Sequence, residues 1–126
     1  MNLQPAQVHA RRFVEERDWT RYHTPKNLAQ ALAGEVGELS EIFQWRTEEE
    51  SSQLDAHDRR LVEEELADIL IYVLRLADVL AVDLEQAVEA KLALNERRYP
   101  VETSRGDRTK HAAKGRGDLH DRSRTS

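Results

Sequence analysis

Residues 34–45 read GEVGELSEIFQW, and the reading of their three glutamates decides the fold. Glu35, Glu38 and Glu41 recur every three residues, threaded between Val36, Leu39, Ile42 and Phe43. That spacing suits a helix, where residues three apart share a face with Cβ atoms ~5–6 Å apart. A stripe through Leu28, Leu32, Val36 or Glu35, Leu39 and Phe43 carries the helix backward. Thr24 as N-cap and Pro25 at the first helical position mark its start. Like charges one turn apart beside an apolar stripe leave two readings. Either the acids form a solvated face, or they share something positive.

The pattern returns on a later helix. Glu35-x-x-Glu38 is answered by Glu65-x-x-Asp68. Glu35 lies between Leu32 and Leu39, and Glu65 between Leu61 and Ile69. Both occupy stripe positions, where an unpaired charge is costly. Two antiparallel helices packed at ~8–10 Å would turn these pairs toward each other. Four carboxylates converging without counter-charge would oppose folding, or raise their pKa values until protons bound. A divalent cation removes the conflict. With oxygen ligands only and no cysteine, the set favours Mg²⁺, or Mn²⁺, over zinc. Mg²⁺ completes its shell with water and substrate phosphates, and such ions activate water for attack on phosphorus. Glu41, Glu63 and Glu64 are expected to face outward, Glu64 one turn before Asp68.

The rest of the chain supplies helices around this pair. Leu3, Ala6, Ala10, Phe13 and Val14 have a helical period, which predicts a first helix ending near Arg17. The segment RDWTRYHTP is irregular and rich in rings: Trp19, Tyr22 and His23. RTEEESSQLDAHD has no apolar period and reads as a connector. A third helix is predicted from about Asp58 to Ala81, apolar over much of its circumference from Leu66 to Leu80. Asp83 with Gln86 signals the start of a fourth, and Pro100 its end. The expected fold is all-α: a four-helix bundle over residues 1–100, followed by a tail over 101–126.

Bulk properties narrow the function. A chain of 126 residues is long enough for one compact domain, which is the expected organisation. Aromatics are only 6% of it and charged residues 34%, which fits a thin core completed by oligomerisation. Cysteine is absent, which removes disulfides and thiolate metal sites. No apolar run approaches the ~20 residues of a membrane span. The start, MNLQPAQVHARRF, lacks a signal-peptide core, so a cytoplasmic protein is expected. From Val101 to Ser126 seven Lys/Arg face four acids, so the tail carries +3 and the body −8 of the total −5. An acidic body does not suit a nucleic-acid duplex.

GEVGELSEIFQW and EEELADILIYVLRLA, with ERDWTRYHTPKNLA before them and VDLEQAVEAKLALNERRYP after, resemble the MazG-like all-α nucleoside triphosphate pyrophosphohydrolases. The similarity is closest to the dCTP pyrophosphatase branch and runs from about Phe13 to Tyr99. SRG at Ser104–Gly106, with Lys110 beyond it, also looks like that branch. The resemblance implies a Mg²⁺-dependent enzyme that cleaves a nucleoside triphosphate, dCTP or a modified dCTP, to monophosphate and pyrophosphate. It also implies a homodimer or homotetramer with the site near subunit contacts. By position, Glu35, Glu38, Glu65 and Asp68 match metal-binding and catalytic carboxylates. Trp19, His23, Trp45 and Tyr72 match residues that shape the nucleoside pocket. Lys91 and Asn95 match polar groups near the substrate, while Arg98, Arg105 and Lys110 are candidates to fold over a triphosphate. One position departs: Ala10 stands where a histidine is expected, with His9 beside it. The rival readings are a related enzyme for dUTP or phosphoribosyl-ATP, and a non-catalytic helical interaction module.

Overall fold

The structure, a computed structural model, describes residues 2–108. Most of the basic tail, Lys110 included, lies outside the described residues. Helices run in the order α1 (Gln4–Glu16), a 3₁₀ turn (Thr20–Tyr22), α2 (Pro25–Phe43), α3 (Glu48–Ser51), α4 (Ala56–Val79), α5 (Leu84–Arg98) and α6 (Val101–Ser104). No strand occurs among the described residues, so the all-α expectation holds. Among the described residues, no helix is long and apolar enough to cross a membrane.

The chain divides between Val82 and Asp83 into two compact units, a division that falls inside the 1–100 stretch read as one domain. The first unit is built on α2 against α4, with α1 laid on α4. His23 just before α2 meets Arg75, Glu35 meets Glu65, and Arg46 just after α2 meets Asp58. Those three pairings fix the two helices as antiparallel. Among the described residues, Val14, Leu28, Leu74 and Ala77 are the buried apolar side chains. Against those four stand Val36, Leu66, Leu70 and Ile71 on α2 and α4, all of them exposed. The apolar circumference expected for the long helix is therefore only partly covered within the chain. The second unit holds α5 and α6, where Val88, Leu92 and Val101 are exposed.

Local chemistry sets the boundaries. The Thr24 hydroxyl accepts the Asn27 N–H and Pro25 opens α2, as the sequence predicts. Asp83 caps α5 through the Gln86 N–H. The third predicted helix begins earlier than expected, because Asp55 accepts the Asp58 N–H and caps α4 at Ala56. It ends earlier too. Ala81 adopts φ 55°, and Val82 N–H reaches back to the Ala77 carbonyl, closing a left-handed turn. Asp18 does the same after α1, with Trp19 N–H on the Val14 carbonyl. The segment read as a plain connector contains α3, a single turn nucleated by a reciprocal capping box between Thr47 and Glu50.

Candidate active site

Glu35 and Glu38 lie one turn apart on α2, and Glu65 faces them from α4. One oxygen from each falls within 4.8 Å of the others. Glu35 and Glu65 are half-buried, and the Oε2 atom of each is buried without a hydrogen-bond partner. Glu38 stands at the exposed rim. Three of the four carboxylates expected to converge therefore do so. Asp68, exposed one turn beyond Glu65, lies outside the trio but acts on it through its charge.

The electrostatics record the crowding. Burial first, then the close approach of the Glu65 carboxyl and the Glu38 and Asp68 charges, push the Glu35 carboxyl up to about 7. Glu65 is also raised, first by burial and then by Glu38 and Asp68, with the nearby Glu35 carboxyl opposing the shift. Carboxyls raised in this way keep a proton to higher pH than free glutamate, which relieves part of the repulsion. An open cleft of about 370 Å³ adjoins the trio, lined by Glu38, Glu41, Ile42, Leu61 and Glu65. Glu41 is exposed, as expected, yet borders this cleft. Glu63 and Glu64 are exposed, Glu63 lying 3.6 Å from Arg59.

The predicted nucleoside residues stand beside α1 and α2 and on α4, and none of them lines the cleft beside the trio. Trp45, just past α2, is 88% exposed. Trp19 is exposed and meets the Phe13 ring edge-on, with centroids 5.8 Å apart, while Arg17 lies over the other ring of the pair, Phe13. Tyr72 is half-buried on α4, one turn after Asp68. His23 ends the 3₁₀ turn, half-buried, its Nδ1 accepting from Arg75 Nε at 3.3 Å. Lys91, exposed, and Asn95, half-buried, sit one turn apart on α5 in the second unit.

Sequence reasoning passed over Arg75. Its side chain is buried, at 4% exposure, in the apolar run of α4. Nη1 donates to Asp78 Oδ2 at 3.0 Å. Asp78 also accepts a two-pronged bond from Arg11 on α1, at 2.7 and 2.6 Å. The Arg11 and Arg75 guanidiniums hold the Asp78 carboxyl below the usual range. A signal was present: a charge inside ILIYVLRLADVL with an acid three residues on needs a partner there.

Comparison with known proteins places this arrangement. The model of the MazG-like family matches residues 31–112, from the middle of α2 past α6. Bovine dCTP pyrophosphatase 1 is 50% identical over 106 residues, covering 82% of this chain and 62% of that protein. The human protein of the same name is 45% identical over the same shares. The chain thus spans less than two thirds of these relatives' length. A crystal structure of a pyrophosphatase from Archaeoglobus fulgidus superposes with a TM-score of 0.74 at 44% identity, over 78% of this chain and 92% of that one. With that family's model matching about two thirds of the chain, the chain belongs to the MazG-like family.

Proposed function

We propose that the chain is a divalent-cation-dependent nucleotide pyrophosphohydrolase that converts a deoxynucleoside triphosphate and water to the monophosphate and pyrophosphate. The observation that carries this reading is the trio Glu35, Glu38 and Glu65 with two buried, partnerless oxygens. Unpartnered buried carboxylate oxygens are a liability to a fold unless an outside cation satisfies them. The donor set is all oxygen, which fits Mg²⁺, with Mn²⁺ as the second choice. Glu35, Glu38 and Glu65 would hold the ion, with Asp68 adding a fourth carboxylate from the rim. When bound, a divalent ion lowers the pKa of water and neutralises phosphate charge. The chain's own contribution is to fix the acids on two packed helices and to keep Glu35 and Glu65 away from bulk solvent.

Cytosine is the favoured base, on the strength of relatives named dCTP pyrophosphatase 1. Trp19, His23, Trp45 and Tyr72 would receive the nucleoside, with exposed Trp45 free to stack on the base. Lys91 and Asn95 would contact the polar part of the substrate. A purine-directed reading has one observation of its own. A cyanophage S-2L protein named dATP/dGTP diphosphohydrolase is 48% identical over 50 residues, covering 40% of this chain and 48% of that protein. A homodimer or homotetramer would cover the exposed apolar positions Leu66, Leu70 and Ile71. A cytoplasmic enzyme that clears unwanted nucleotides is the role such chemistry serves. Residues 1–100 would form the catalytic body and 101–126 a basic extension.

A panel of deoxy- and ribonucleoside triphosphates, incubated with and without Mg²⁺ and with products resolved, tests the proposal. Pyrophosphate release from dCTP that requires the cation is expected. Orthophosphate release, or turnover indifferent to chelator, would overturn it.

A further inference from the structure

Arg75 is the one charged side chain buried below a tenth of its surface among the described residues, and it touches His23. A guanidinium has donors and no acceptor, and it does not lose its proton in proteins. The Arg75 Nε–H can therefore bond His23 Nδ1 only if that nitrogen carries a lone pair. Neutral imidazole must then hold its proton on Nε2. We propose that Arg75 is a positioning residue that fixes His23 as the neutral Nε2–H tautomer, making Nε2 a hydrogen-bond donor to an acceptor atom of the nucleoside. The inference rests on the nucleotide reading for the identity of the acceptor, and on geometry alone for the tautomer.

Three features hold the arrangement. Arg75 cannot swing away, because Asp78 takes its Nη1 at 3.0 Å and Arg11 ties Asp78 to α1. Gln7 of α1 donates to the Leu74 carbonyl at 3.1 Å, pinning the same stretch of α4. His23 is fixed from its own side by its N–H on the Thr20 carbonyl and by Asn27, which donates to the neighbouring Tyr22 carbonyl at 3.1 Å. The charges around the imidazole are Arg75 and Asp78 from α4 and, behind Asp78, Arg11 from α1. Two cations against one anion leave this cluster positive, so a second charge on His23 is disfavoured. Burial and the Arg75 charge both lower the His23 pKa, in the same sense. A histidine held this way donates through Nε2 and does not accept there. It would discriminate among bases by the side of the ring that offers an oxygen or an unprotonated nitrogen.

The test is nitrogen-15 NMR of the His23 ring in the full chain, without nucleotide, beside steady-state kinetics on dCTP. At neutral pH the wild type is expected to show Nδ1 as the unprotonated nitrogen and Nε2 as the protonated one. Nδ1 protonated, or a charged ring, would overturn the proposal whether or not any variant folds. Arg75→Met should mix the tautomers, raise the His23 pKa and raise KM about threefold to tenfold with kcat nearly unchanged, the loss of about one hydrogen bond. Arg75→Lys should recover part of the tautomer bias. In a His23→Gln background, Arg75→Lys should have no further effect on KM; independent, additive losses would overturn the coupling. If the wild type turns over no nucleotide, the nucleotide reading fails, and the NMR result still decides the tautomer.

Discussion

At Glu65 and at Arg75 the same helix carries a charge inward, but the two ends of α4 treat it differently. Arg75 is paired within the chain: Asp78 on its own helix, His23 before α2, and Arg11 on α1 through Asp78. Glu65 meets only more negative charge, in Glu35, Glu38 and Asp68. About two helical turns separate Asp68 from Arg75. The knot around Arg75 is finished without help, each of its charges having a partner within the chain. The trio is unfinished, with buried oxygens that find no donor. A chain that pairs a buried charge so fully at one place, and leaves one bare at the next, supports the proposal that an outside cation completes the bare place.

The largest expected effect separates the two places by activity. Glu38→Gln should lower pyrophosphate release by roughly a hundredfold or more, since even outer partners of a metal site cost about 10–100-fold. The same change should leave chelator-treated protein as stable as the wild type or more so, because it removes a repelling charge. Loss of stability together with activity would break the contrast. Asp78→Ala should show its main loss in stability. Removing the anion strands the Arg75 guanidinium, and a broken buried pair costs about 3 kcal/mol or more. Urea denaturation would read this, and an unchanged midpoint would show that the knot is dispensable.

A smaller effect sharpens the comparison through pH. The folded pKa of Glu35, about 7, lies above its ordinary 4.5. Its protonated form therefore favours the native state. That contribution is full below the ordinary value and is lost as pH rises through about 7. Glu65 shifts in the same direction. Asp78 has the opposite sign, being lowered from 3.8, so its contribution is present above that value and lost as pH falls through the folded one. In EDTA the melting temperature should fall from about pH 5 to about pH 8, and saturating Mg²⁺ should flatten the fall by binding the native state. A flat wild-type profile in EDTA would remove the trio's electrostatic strain from the account.

The sequence carried the trio because its spacing and stripe positions are local properties of two helices. It also carried α2 and α5, whose caps at Thr24 and Asp83 are ordinary polar starts. The end of α4 was misplaced because the left-handed residue there is Ala81 and not a glycine, so no stop signal was written. The Asp55 cap and the α3 turn were hidden in a charge-rich run whose capping chemistry has no apolar period. The Arg75 knot joins residues up to 67 apart in sequence, which no periodicity reaches. Asp68, expected beside Glu65, stands as an exposed neighbour one turn beyond it, outside the trio.

The clip between Arg46 and Asp58 has a consequence for chain length. Arg46 bonds the Ile42 carbonyl behind it and the Asp58 carboxylate ahead, so the end of α2 and the start of α4 are joined independently of the residues between. Thr47 and Asp55 each cap a helix at the margins of that connection, and Ser52 and Gln53 lie exposed in it. The entropy of closing a loop grows slowly, about 0.6 kcal/mol for each doubling. The connection is therefore a point where the chain tolerates inserted sequence while the register that brings Glu35 to Glu65 is kept.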